Sequence, residues 1–65
     1  MTLAHYSNII RGHLYNRHNK SAREAREIVQ RDTRFISGEL AKMTHPSMAA
    51  SLLLVRNGFS RNPVA

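Results

Sequence analysis

Residues 21–43 read SAREAREIVQRDTRFISGELAKM, and whether this stretch is one helix or two decides the fold. It opens with a capping box: the Ser21 hydroxyl is placed to accept from the Glu24 amide, while the Glu24 carboxylate reaches back to the Ser21 amide. From there Ala22, Ala25, Val29, Ile36, Leu40 and Met43 fall on one side of a helix, with Ile28 and Phe35 at its edge. Gly38 is an early stop or kink in this pattern. Because the apolar stripe resumes in phase at Leu40 and Met43, the spacing predicts one continuous helix over 22–43.

Two further helices flank it. Leu3, Tyr6, Ile10 and Leu14 recur at three- and four-residue intervals after a capping Thr2, predicting a helix over about 3–17 that Gly12 weakens. Asn16 to Lys20 is a polar connection. Thr44-His45-Pro46-Ser47 predicts a helix start near 46, with Thr44 as cap and Pro46 in the first turn, where its missing amide costs nothing. This helix is expected to end at about 57, with Gly58 as the left-handed residue and Phe59 making a hydrophobic contact, before a frayed tail over 60–65. The expected fold is therefore a single all-α domain of three helices spanning 1–65.

A chain of 65 residues has a marginal core, and cysteine is absent, so no disulfide supports it. The third helix bears on this. Met48, Ala49, Ala50, Leu52, Leu53, Leu54 and Val55 surround its whole circumference, and such a helix must be covered on all sides. Either it is the central helix, or its free side packs on a second copy. The small core favours a homodimer through Met48, Leu52, Leu53, Leu54 and Val55. The longest nearly apolar run, Met48 to Val55, is far short of a membrane span, and no secretory h-region opens the chain. A cytoplasmic protein without a membrane partner is expected.

Charge is the functional signal. The formal net charge is +6, and eight of the ten cations are arginine. Residues 1–23 contribute +4 and 40–65 contribute +3, neither containing a carboxylate, while 24–39 holds all four acids and sums to −1. Such a chain presents a sustained positive field to polyanions. Opposite the apolar stripe of 22–43 lie Arg23, Arg26, Gln30, Thr33, Arg34 and Ser37, with Glu27 and Arg31 alongside. Arginine and glutamine offer the paired hydrogen-bonding groups that read phosphates and base edges. Arg11 to Lys20 adds Arg11, Arg17, Lys20 and an outward-facing Tyr15. The expected contact set is Arg11, Arg17, Lys20, Arg23, Arg26, Gln30 and Arg34, facing nucleic acid (duplex DNA before RNA) or an acidic protein surface. An ordinary solvated helix face has the same composition.

Other chemistry finds little footing. Asp32 projects between Ile28, Val29, Phe35 and Ile36, on the side expected to be buried, and needs a cation; Arg17 and His13 are the expected partners in a structural ion pair. No nucleophile or glycine-rich phosphate loop accompanies it, so no catalytic residues are assigned. His13 and His18 are five residues apart and His5 and His13 eight, neither being the spacing with which a helix grips zinc, so no metal or cofactor is assigned. The stretch from Glu39 through the helix after Pro46 has the outline of a helix-turn-helix. Its second helix, however, would offer a groove Met48, Ala49, Leu52 and Val55, which are not base readers.

Overall fold

The computed structural model describes residues 1–58 as four α-helices with no strand: α1 Leu3–Asn16, α2 Ala22–Arg31, α3 Thr33–Ala41 and α4 Pro46–Arg56. The all-α expectation holds, but the helix expected over 22–43 is two helices. The break lies at Asp32 and not at Gly38, which sits inside α3 with open space where a Cβ would be.

The backbone at Asp32 leaves the helical region (φ −111°, ψ 35°), although its amide still bonds Ile28 O and its carbonyl still accepts from the Ile36 amide. Two side chains account for the break. The Thr33 hydroxyl lies 3.2 Å from Val29 O and 3.1 Å from Gln30 O, the carbonyls that the amides of residues 33 and 34 would take in an unbroken helix. The Asp32 carboxylate turns toward the end of α4. Its Oδ2 accepts from Asn57 Nδ2 at 2.8 Å and its Oδ1 from Arg56 Nε at 3.4 Å. The side chain is 13% exposed, so the carboxylate is half-buried, and it is paired as its apolar surroundings require. The expected partners, Arg17 and His13, are not the ones used. Arg56 also lies over the Phe35 ring at 4.9 Å, and Asn57 accepts from Arg31 Nη1 at 2.9 Å. Asn57 Nδ2 additionally caps α4 through Leu53 O at 2.8 Å. One carboxylate thus ties the α2–α3 junction to the end of α4.

The helix at the centre is α1, not the last one: it packs against each of the other three, most extensively α4 and α2. The core holds Tyr6, Ile10 and Leu14 from α1, Ala25, Ile28 and Val29 from α2, Ile36 from α3, and Ala49, Ala50, Leu53 and Leu54 from α4. Leu3, Phe35 and Leu40 pack at its margin.

Helix ends follow the capping chemistry with one exception. Thr2 Oγ1 accepts from the His5 amide, and both halves of the Ser21–Glu24 box form, at 3.0 and 3.1 Å. Gly58 takes the expected positive φ of 85° after α4; the Phe59 contact, Arg61 and the tail lie outside the described residues. The exception is α4, capped by His45 Nδ1 and not by Thr44, because Pro46 at the first helical position makes its neighbour the cap.

Thr44 instead belongs to the turn after α3. That helix ends in a Schellman arrangement, with the Met43 amide on Leu40 O and the Thr44 amide on Glu39 O. Met43 therefore adopts φ 62°, a left-handed conformation that costs a residue with a Cβ about 1 kcal/mol. The turn is fixed to α1 by the Tyr6 hydroxyl, which donates to Thr44 O at 2.7 Å. The Glu39 carboxylate lies beneath it, accepting from Thr44 Oγ1 at 2.8 Å and pairing with Lys42 Nζ at 3.0 Å. Those two bonds hold the Glu39 carboxyl below the ordinary glutamate range, Lys42 contributing most.

Two consequences are measurable. Asp32→Ala removes the hydrogen bonds that Asn57 and Arg56 give to a half-buried charge. It is expected to cost about 2 kcal/mol, seen as a fall in Tm on the order of 10 °C for a domain this small. An unchanged melting curve would show that the junction does not depend on this carboxylate. For Glu39, a folded pKa depressed below the unfolded one means stability that is present above the unfolded value and is lost as pH falls through the folded value. Urea midpoints measured at about pH 7 and about pH 3 should therefore drop further for the wild type than for Glu39→Gln. Equal drops would contradict the assignment.

Candidate nucleic-acid interface

The break at Asp32 divides the face on which the contact set was predicted. Arg23, Arg26 and Gln30 lie exposed on α2, whereas Arg34 and Ser37 lie exposed on α3, a separate helix. Thr33, between the two exposed faces, turns its hydroxyl back onto its own backbone. Arg31 and Arg56 are engaged in the Asp32–Asn57 cluster.

What the structure does bring together is the α2 face and the α1 stretch. A groove between these helices is lined by Asn8, Arg11, Gly12 and Tyr15 on α1 and by Ala22, Ala25 and Arg26 on α2. Gly12 and the two alanines keep its floor shallow. Arg11 stands on one wall, hydrogen-bonded through Nη2 to Asn8 Oδ1, and Arg26 on the other. Tyr15 is 56% exposed, so its ring faces solvent within the groove. No carboxylate lines it. Two guanidiniums, an amide and an accessible aromatic ring around a narrow floor suit a phosphate with a planar group beside it.

The rest of the predicted set is distributed differently. Arg23 is almost fully exposed beside the groove and 3.8 Å from Glu27, an i,i+4 contact between solvated groups that contributes little. Lys20 is half-buried in the connection between α1 and α2. Arg17 is not in the α1–α2 groove; it lines a second groove, with His13, His18, Ser47, Met48 and Ser51. Gly12 and Asn8 are the groove residues that sequence reading passed over. Gly12 was legible only as a weak helix position, because its value depends on Arg26 standing opposite.

The fate of the carboxylates sharpens the field. Asp32 and Glu39 are drawn inward to Asn57, Arg56, Thr44 and Lys42. Glu24 is occupied by the capping box, whose Ser21 bonds hold its carboxyl below the usual range. Glu27, beside Arg23, is left on the solvated side of α2.

On α4, Leu53 and Leu54 belong to the chain's own core, being 0% and 3% exposed, which removes them from the predicted dimer interface. Met48, Leu52 and Val55 remain outward at 57%, 39% and 51%, spaced four and three residues apart on one side. Ala49, expected on this outward face with them, is instead buried in the core. Among the described residues, no helix is long and apolar enough to cross a membrane. Comparison with protein-family models, with curated proteins and with solved structures finds no match to this chain.

Proposed function

We propose that this chain is a small non-enzymatic nucleic-acid-binding protein, most simply a regulatory one, that grips the phosphate backbone of duplex DNA with the α1–α2 groove. The observation that carries this reading is the pairing of Arg11 and Arg26 across a carboxylate-free groove with Tyr15 exposed between them. Arg23 and Gln30, both exposed, extend the contact along α2, with Gln30 as the base contact, and Lys20 and Arg34 add to the field.

Binding through phosphates releases counterions, so affinity should fall with salt at a log–log slope of roughly −0.9 per contact. Arg11→Ala and Arg26→Ala should each flatten that slope by about one unit and weaken binding to all sequences alike. Gln30→Ala should change preference among sequences. Titrations of labelled duplex DNA, single-stranded DNA and RNA at two salt concentrations test this. Failure to bind any of them at low salt would refute the reading and favour docking of the same arginines on an acidic protein surface.

We further propose that the chain dimerises through Met48, Leu52 and Val55 of α4. The reading rests on three large apolar side chains left outward on one face of a domain with a small core. Leu52→Glu is expected to give a folded monomer, and Leu53→Glu an unfolded chain, because Leu53 is fully buried. Sedimentation of the wild type should give twice the 7.4 kDa chain mass. A wild type that sediments as a folded monomer at high concentration would remove the dimer.

A further inference from the structure

We propose that the groove between the end of α1 and the first turns of α4 is a binding site for a phosphate dianion, distinct from the α1–α2 groove. It has a volume of about 420 Å³ and is lined by His13, Arg17, His18, Ser47, Met48 and Ser51. No carboxylate lines it, and the side chains of His13, Arg17 and His18 make no hydrogen bond or ion pair with any described residue. Three groups able to carry positive charge therefore converge unneutralised, with Lys20 close enough to add to the field. Their mutual repulsion is visible at His18, whose imidazole is held below the usual histidine range by burial first and then by His13, Arg17 and Lys20.

The α4 wall brings no charge. Its Ser47 hydroxyl is bonded to His45 Nδ1 at 2.9 Å, and its Ser51 hydroxyl donates to Ser47 O at 3.3 Å. Recognition thus falls to the imidazoles and the guanidinium, the last able to grip two phosphate oxygens at once. Arg17 is charged throughout, whereas His18, held below the ordinary histidine range, gains its charge only as pH falls below about 6.5. Protonation of His18 as pH falls strengthens the site, while phosphate itself gains a proton and loses charge, so for phosphate the two effects oppose one another. Sulfate, divalent throughout, should instead bind more tightly at every step down in pH.

The test is an NMR titration of the full chain with inorganic phosphate, following the imidazole signals at about pH 6 and about pH 7.5. His13 and His18 should move while His5 at the start of α1 does not, and His18 should titrate at higher pH in phosphate than in chloride. Arg17→Ala should weaken phosphate at least about tenfold, as expected for loss of a bidentate charged contact. Arg26→Ala should leave phosphate binding unchanged, which separates this site from the proposed DNA groove. Arg17 is exposed and circular dichroism checks its variant; His18→Gln, expected to abolish the gain in sulfate affinity at lower pH, is an independent second variant. Comparing a 5′-phosphorylated with a 5′-hydroxyl oligonucleotide gives the source of the group. A preference erased by Arg17→Ala supports the site with a strand end as ligand, and binding of phosphate without that preference supports it with a small phosphorylated molecule. Absence of any phosphate-induced shift at His13 and His18, or the same shift in Arg17→Ala, overturns it.

Discussion

The Asp32 carboxylate is the interaction on which this arrangement depends. An unbroken helix over 22–43 would be about 33 Å long, nearly the 34 Å length of the whole molecule. α1 has only 14 residues, about 21 Å, and could not cover both halves of such a rod. Breaking the rod at Asp32 lets both pieces pack on α1, and the same carboxylate then fastens their junction to Arg56 and Asn57 at the end of α4. A charge in this position is stabilising only while its donors are present. The cluster around it is accordingly dense, with Asn57 bonding Asp32, Arg31 and Leu53 together, and Arg56 lying on Phe35.

Much of this was legible in the sequence, for identifiable reasons. The α1 stripe of Tyr6, Ile10 and Leu14, the Thr2 cap, the Ser21–Glu24 box and the Gly58 stop are local features, set by residues within four positions of one another. Asp32 was legible as an anomaly, since a carboxylate on an apolar side demands a partner. The identity of that partner was not, because Arg56 and Asn57 are more than twenty residues away and periodicity carries no information across that distance. The break itself was masked by a coincidence of phase: Ile36 and Leu40 point inward whether or not the helix is interrupted. Glu39 escaped notice for a similar reason. Its burial depends on Thr44 and Lys42 folding back over it in the turn, an arrangement that exists only because α3 stops at Ala41.

The site was half legible. Composition identified the arginines and the confinement of the acids to 24–39, but which arginines meet is a property of packing. α1 against α2 joins Arg11 to Arg26, and the end of α1 against the start of α4 gathers His13, Arg17 and His18. Arg31 and Arg56, indistinguishable from the others in the sequence, serve the fold instead. The inward turn of Asp32 and Glu39 has an electrostatic consequence. Two of the four carboxylates are withdrawn into internal pairs, so the α1–α2 groove presents its guanidiniums with no acid on its walls.

A polyanion held in the α1–α2 groove, as proposed, would leave its mark on the residues that line it. Amide chemical-shift mapping of the labelled chain during titration with a short duplex at low salt tests it most directly. The largest changes are expected at Arg11, Gly12, Tyr15 and Arg26, with Gln30 following and the outward residues of α4 unmoved. Changes centred on Met48, Leu52 and Val55, with Gly12 and Arg26 silent, would contradict it.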